Sequence, residues 1–438
     1  MSAKPLRVGL AGLGTVGGGT WAVLARNAEE IRRRAGRSIA ITAVADLDAA
    51  KAQTLTKGSA RFTADAIALA KDAEIDVVIE LIGGYGFAKE FVLEAIRQGK
   101  HVVTANKALL AIHGNEIFAA AQAKGVMVAY EAAVAGGIPI IKALREGLTA
   151  NKIEWIAGII NGTTNFILSE MRDKGLAFSE VLKEAQRLGY AEADPTFDIE
   201  GIDAAHKATI MASIAFGIPL QFDRAHIEGI SSLQAKDIRY AEQLGYRIKL
   251  LGITKQHANG VELRVHPTLI SSKKLIANVE GAMNAVWVKG DAVGHTMYYG
   301  KGAGAEPTAS AVIADLVDVA RTLAIDSGHR VPDLGFQSAE IVMRSVVPID
   351  EIESGYYLRL RVRDQPGVLA DITRALADGG ISIDAFFQRE PDEGADETDV
   401  VLIAHRCIEK KMRDAIRKIE ALKTVLSEVV VLRLESFS

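Results

Sequence analysis

Residues 185–207, AQRLGYAEADPTFDIEGIDAAHK, gather several acids and a lysine within one stretch of this 438-residue chain. Glu192, Asp194, Asp198, Asp203 and Lys207 surround a turn at Pro195, and residues 208–222 then carry no charged side chain. If the chain is helical from Gly201 onward, Asp203, Lys207, Ile210 and Ile214 share one stripe, because positions three and four apart are neighbours. Carboxylates and a lysine then sit at the mouth of a buried helix. On a solvated face the same letters would be an ordinary ion pair. The uncharged continuation argues against that, since lysine is rarely taken inside without a partner or a task. Several acids with one lysine suit a substrate bearing an ammonium group, which the acids hold while the lysine moves a proton.

Other polar clusters fall where chemistry needs them. Gly12, Gly14 and Gly17 follow an apolar strand in the frame G-x-G-x-x-G, with helical sequence expected over 21–35. That frame allows a tight turn, close approach to a pyrophosphate and close helix packing, with the Thr15 and Val16 amides facing phosphate. Asp46, after the strand 39–45, can accept from a ribose 2′-hydroxyl, an arrangement that favours NAD. A strand expected over 76–81 ends in Glu80 and the Gly83-Gly84 turn. Thr104, Ala105, Asn106 and Lys107 close the next strand, on the edge of a parallel sheet where ligands bind. Glu131 precedes a turn with Gly136 and Gly137, whose carbonyls could converge on a hard cation of low charge or simply form a crossover. Asn161–Asn165, NGTTN, suits either a helix cap or a polar pocket.

Composition bounds what these elements can build. A hydrophobic share of 49% and a charged share of 24% are those of a globular protein, and 438 residues imply more than one core. The net charge of -4 offers no electrostatic case for nucleic acid or an anionic membrane. With Cys407 as the sole cysteine, and no long apolar run or leader-like start, the expectation is a cytoplasmic protein. After a linker at 347–355, the pattern restarts as a separate βαββαβ unit with an acidic loop at 390–397, the ferredoxin-like order. The fold class expected is α/β: an N-terminal Rossmann-type parallel sheet (1–135, completed by helices of about 305–346), an α+β substrate and dimerisation domain (136–304), and the C-terminal unit (355–438).

Together these residues resemble the homoserine dehydrogenase family. Its signature is matched by Ala185, Gly189, Tyr190, Ala191, Asp194, Pro195, Asp198, Gly201, Asp203 and Lys207. GLGTVG, TANK, EAAVAGGIP, NGTTN and GKGAG (300–304) follow in the family's order. The unit from 355 resembles an ACT domain through Asp364, Pro366, Gly367, Val368 and Leu369. No kinase unit is expected ahead of a glycine turn that starts at Gly12. The resemblance implies interconversion of L-homoserine and L-aspartate 4-semialdehyde with NAD(P). Lys207 and Lys107 would act at the reacting oxygen, with Asp203 orienting Lys207. Glu192 and Asp198 would hold the amine, and Gly162, Thr163 and Tyr190 would line the pocket. Cofactor contacts would come from Gly12, Leu13, Gly14, Thr15, Val16, Gly17, Asp46, Thr104, Lys107 and Gly302. Glu131, Val134, Gly136 and Ile138 would hold a sodium-like ion. Threonine is the implied effector, and a homodimer or homotetramer the implied assembly. The alternatives are an oxidoreductase acting on another amino-acid aldehyde or imine, and a catalytically silent amino-acid sensor.

Overall fold

In the computed structural model residues 4–388 and 396–437 are described. Positions 390–395 of the expected acidic loop lie outside them. The first half builds a parallel sheet from β1 (Leu6–Ala11), β2 (Ile39–Ala45), β3 (Arg61–Thr63), β4 (Val77–Glu80), β5 (His101–Thr104) and β6 (Val128–Ala129). Their order is β3-β2-β1-β4-β5-β6, so the strand order reverses beside β1 and opens a crevice at the carboxyl ends of β1 and β4. β4 and β5 are buried along their whole length, as strands covered by helices on both faces must be.

The sequence expected one helix over 21–35. Instead a helix starts at Thr15, runs to Arg26, breaks at Asn27 and resumes over Ala28–Ala35. Glycines 17–19 depress helix propensity, but packing overrides it. A Cβ on Gly19 would lie 2.5 Å from the carbonyl oxygen of Ala305, so these glycines let the first helix press against the helix Ala305–Thr322. That helix returns to the N-terminal sheet as expected and shares its apolar cluster through Ala309, Val312 and Leu316. The expectation of helices up to about 346 is corrected: beyond Thr322 only short turns form at Ser327–His329 and Ser338–Glu340. Pro332 and the left-handed Gly335 (φ 77°) interrupt any longer helix.

The second half contains β7 (Ile153–Ile159), β8 (His226–Ile227), β9 (Tyr246–His257), β10 (Gly260–Ser271), β11 (Met283–Gly290) and β12 (Gly294–Lys301). The helix Ile202–Phe216 lies across this sheet, buried from Asp203 onward and bounded by left-handed Gly201 and Gly217. The C-terminal strands β13 (Glu353–Arg363), β14 (Ile383–Gln388), β15 (Glu397–Ile408) and β16 (Val430–Glu435) take the order β16-β13-β15-β14, with helices Val368–Asp378 and Glu409–Glu420. This is the ferredoxin-like arrangement. Its sheet is joined to the neighbouring one: β16 pairs in parallel with β10, Thr268 against Arg433, so both sheets form one.

Candidate active site

The glycine turn meets each demand of its frame at a different residue. Gly12 is left-handed (φ 91°), and a Cβ there would lie 2.4 Å from the carbonyl oxygen of Leu81; on Gly17 it would lie 2.0 Å from that of Gly12. Gly14 faces open space, so a phosphate can approach it, and the helix begins at the next residue. Asp46 accepts from the Leu13 amide at 2.6 Å and the Asp48 amide at 3.0 Å. Partial burial pushes its pKa up, but those amides outweigh this and hold it below the usual value. Thr104 is fully buried; its hydroxyl donates to Glu80 at 2.6 Å and accepts from the Asn106 amide at 3.0 Å. Asn106 caps the helix Lys107–Lys124 by accepting from the Leu109 amide, and it donates to Gly84 O at 2.6 Å. Lys107 is therefore the first residue of a helix anchored to the sheet edge.

Asp203 is where the halves meet. Its Oδ2 accepts from Lys207 Nζ at 2.6 Å and from Asn161 Nδ2 at 2.9 Å, while its Oδ1 lies 3.3 Å from Lys107 Nζ. Asn161 Nδ2 also reaches Asp198 Oδ1 at 2.7 Å. Lys207 Nζ makes a second bond, to the carbonyl of Ile160 at 2.8 Å, and an ammonium has three hydrogens. Asp203 is 4% exposed, and burial alone would raise its pKa; the charges of Lys207 and Lys107 overcome that and drive it well below the usual range. Asp198 moves the other way, raised by burial and by the charge of Asp203. The arrangement holds the Lys207 ammonium in a fixed direction.

The remaining predicted residues are less closely gathered. Thr163 Oγ1 donates to Tyr190 O at 2.7 Å, and the half-exposed Tyr190 ring stacks on Phe166 at 4.5 Å. Glu192 is exposed, and among the described residues its carboxylate has no ion-pair partner. Gly162 starts the helix Gly162–Lys174, and a Cβ there would lie 2.8 Å from Ala282 O. Gly302 is pressed against Asn284. At the crossover the Glu131 carboxylate accepts the Ile141 and Lys142 amides at 2.9 and 2.8 Å, and Ile138 O accepts the Ile140 amide at 2.8 Å. The turn here is tight, with Ala135 (φ 53°) and Gly136 (φ 24°) in left-handed backbone.

Sequence reasoning missed Asn161 as a site residue, having read it within a capping or pocket cluster. It is both: its Oδ1 caps the helix by accepting from the Thr164 amide at 2.8 Å while its Nδ2 ties Asp198 to Asp203. It also missed His206, whose neutral ring, held to a pKa of about 4 by burial, lies between Phe197 and Phe222 at 5.2 and 4.2 Å. Neither side chain has a spacing signal of its own.

A doubly wound sheet with a phosphate-fitted turn, and a lysine pair on one buried carboxylate, one lysine coming from the carboxyl end of β5, define a nicotinamide-dependent oxidoreductase of a small polar substrate. Residues 12–131 match the family description "Homoserine dehydrogenase, NAD binding domain", residues 139–317 "Homoserine dehydrogenase" and residues 356–423 "ACT domain". Homoserine dehydrogenase from Pseudomonas aeruginosa is 60% identical over 436 residues, 99% of this chain and 100% of that protein. That from Neisseria gonorrhoeae is 58% identical over 99% of both chains. The crystal structure of a homoserine dehydrogenase from Thiobacillus denitrificans superposes with a TM-score of 0.95 at 64% identity over 99% of both chains. The chain belongs to the homoserine dehydrogenase family, and it is an oxidoreductase of amino-acid biosynthesis with a C-terminal ACT domain.

Proposed function

We propose that Lys207 is the proton-transfer group in the interconversion of L-homoserine and L-aspartate 4-semialdehyde, with Lys107 orienting the reacting oxygen and Asp203 holding both amines. The observation that carries this is one buried carboxylate engaging both lysines, at 2.6 and 3.3 Å. A bound nicotinamide cofactor would supply hydride exchange at the substrate's C4. Reducing the aldehyde puts negative charge on its oxygen, and a fixed ammonium beside it lowers the barrier and supplies the proton. In the oxidative direction the same amine takes the hydroxyl proton. Asp198 and Glu192 hold the α-ammonium group, and Gly162, Thr163 and Tyr190 shape the wall. Residues 12–17, Asp46, Thr104, Lys107 and Gly302 would hold the cofactor. NAD is favoured over NADP, because an anionic Asp46 opposes a 2′-phosphate.

The product route serves threonine, methionine and isoleucine synthesis, with threonine inhibiting through the ACT domain of a homodimer or homotetramer. Glu131 and the main-chain carbonyls of Val134, Gly136 and Ile138 would hold a sodium-like ion. Initial rates with homoserine and each cofactor, with and without threonine and sodium, test this reading. No turnover of homoserine with either cofactor rules it out.

A further inference from the structure

The seam between the C-terminal unit and the rest of the chain carries a buried arginine with two carboxylates. Arg433, on β16, donates to Glu409 at 2.8 and 2.7 Å within its own unit and to Glu228 at 2.7 and 3.0 Å beyond it. The Arg433 and Glu409 side chains are 5% and 4% exposed, and Glu228, 39% exposed, is shared with His226 Nε2 at 2.8 Å. Glu228 directly follows β8, which pairs with β10 on the same edge that β16 uses.

From Glu228 the contacts run straight to the lysine cluster. The Glu228 amide donates to Val265 O at 2.8 Å, and the Ile230 amide donates to Ile199 O at 2.8 Å. A Cβ on Gly229 would lie 2.5 Å from Ile199 O and 2.6 Å from Glu200 Cα. The left-handed Gly201 (φ 81°) is enclosed on the same side, its Cβ position 3.3 Å from Ile227 Cγ2 and 3.3 Å from Glu228 O. Residues 227–230 are thus moulded to the elbow 199–201. One end of that elbow carries Asp198, and the other starts the helix that carries Asp203.

We propose that Glu228 is a positioning residue: clamped by Arg433, it fixes the elbow that spaces Asp198 from Asp203, so the C-terminal unit helps shape the pocket for the substrate's ammonium group. This rests on the roles given above to Asp198 and Asp203. The Glu228→Gln variant tests it, because it keeps the side-chain shape and leaves Arg433 paired with Glu409. The expected result is a homoserine KM raised roughly fivefold or more, as for a broken coupled contact, with cofactor KM and Tm close to those of the unmodified enzyme. Gly229→Ala, which pushes on the elbow directly, raises the homoserine KM in the same selective way. Arg433→Lys keeps the charge but loses the fork and gives an intermediate value. A homoserine KM within about twofold of the unmodified enzyme in Glu228→Gln, or homoserine and cofactor KM rising together as Tm falls, overturns the proposal. Failure of the unmodified enzyme to oxidise homoserine would instead remove the functional assignment, and that control is read separately.

Discussion

Asp203 and Asp315 are both buried aspartates on long helices with a lysine nearby, yet their charges are controlled in opposite ways. Asp203 lies 2.6 Å from Lys207 and 3.3 Å from Lys107, and the two ammonium groups outweigh the cost of burial. Asp315 lies 3.7 Å from Lys142, which pairs more closely with Asp318. Burial prevails there, and the Asp315 pKa rises to about 6 even though the carboxylate accepts the Glu131 amide at 2.8 Å. Glu131, beside it, is raised to about 7 by burial and by the charge of Asp315. Burial therefore does not decide a carboxyl's charge; the number and closeness of its cations do. At the lysine cluster this keeps an anion that holds two amines. At the crossover it leaves acids that titrate near neutrality.

The largest test of that contrast removes an amine. Lys207→Ala should lower kcat roughly a hundredfold or more, as for a lost acid/base group, while NADH binding followed by fluorescence stays intact. Normal turnover would end the assignment. Asp203→Asn should follow, leaving Lys207 buried without its counter-charge. Unfolding in denaturant should show a loss of about 3 kcal/mol together with reduced kcat/KM. Asp315→Asn, by contrast, replaces a carboxyl already easy to protonate and should change stability at mildly acidic pH far less.

The pH dependence of Tm separates the two acids by sign. The folded pKa of Asp203 lies below its unfolded value of about 3.9, so its contribution is present above that pH and is lost as pH falls further. Asp315 and Glu131 have raised folded values of about 6 and about 7. Their contribution is present below about pH 4 and is lost as pH rises through about 6 to 7. Asp315→Asn should flatten that neutral-side decline, and an unchanged slope would contradict the balance drawn here. The smallest effect should come from Asp46, a partly exposed acid held anionic mainly by amides. Asp46→Ser should narrow the NADH over NADPH ratio of kcat/KM by a few-fold, and no change in the ratio would remove Asp46 from cofactor choice.

Much of the site was legible because its signals are local. The glycine frame demands particular residues at particular backbone positions, and Asp203 and Lys207 lie one helical turn apart whatever the helix packs against. The interruption at Asn27 was not legible, nor was the helix running on through Gly17–Gly19, where close packing against Ala305 outweighs glycine's poor propensity. Nor was the use made of Asn161, Thr104 and Glu131, since the partners of a buried polar group come from distant strands and turns. The C-terminal unit was read correctly as ferredoxin-like, but its pairing with β10 was not legible, because nothing in a strand's own residues names its neighbour across a sheet.

By itself, the order of residues determined the element types, the glycine turn, the helical spacing of Asp203 and Lys207 and the restart near residue 355, all of which depend on interactions a few positions apart. Only the tertiary structure decided that Lys107 reaches the same carboxylate as Lys207, that Asn161 joins two acids, and that β16 extends the sheet of β10. Those facts rest on the meeting of segments far apart in the chain, where burial and charge act across space.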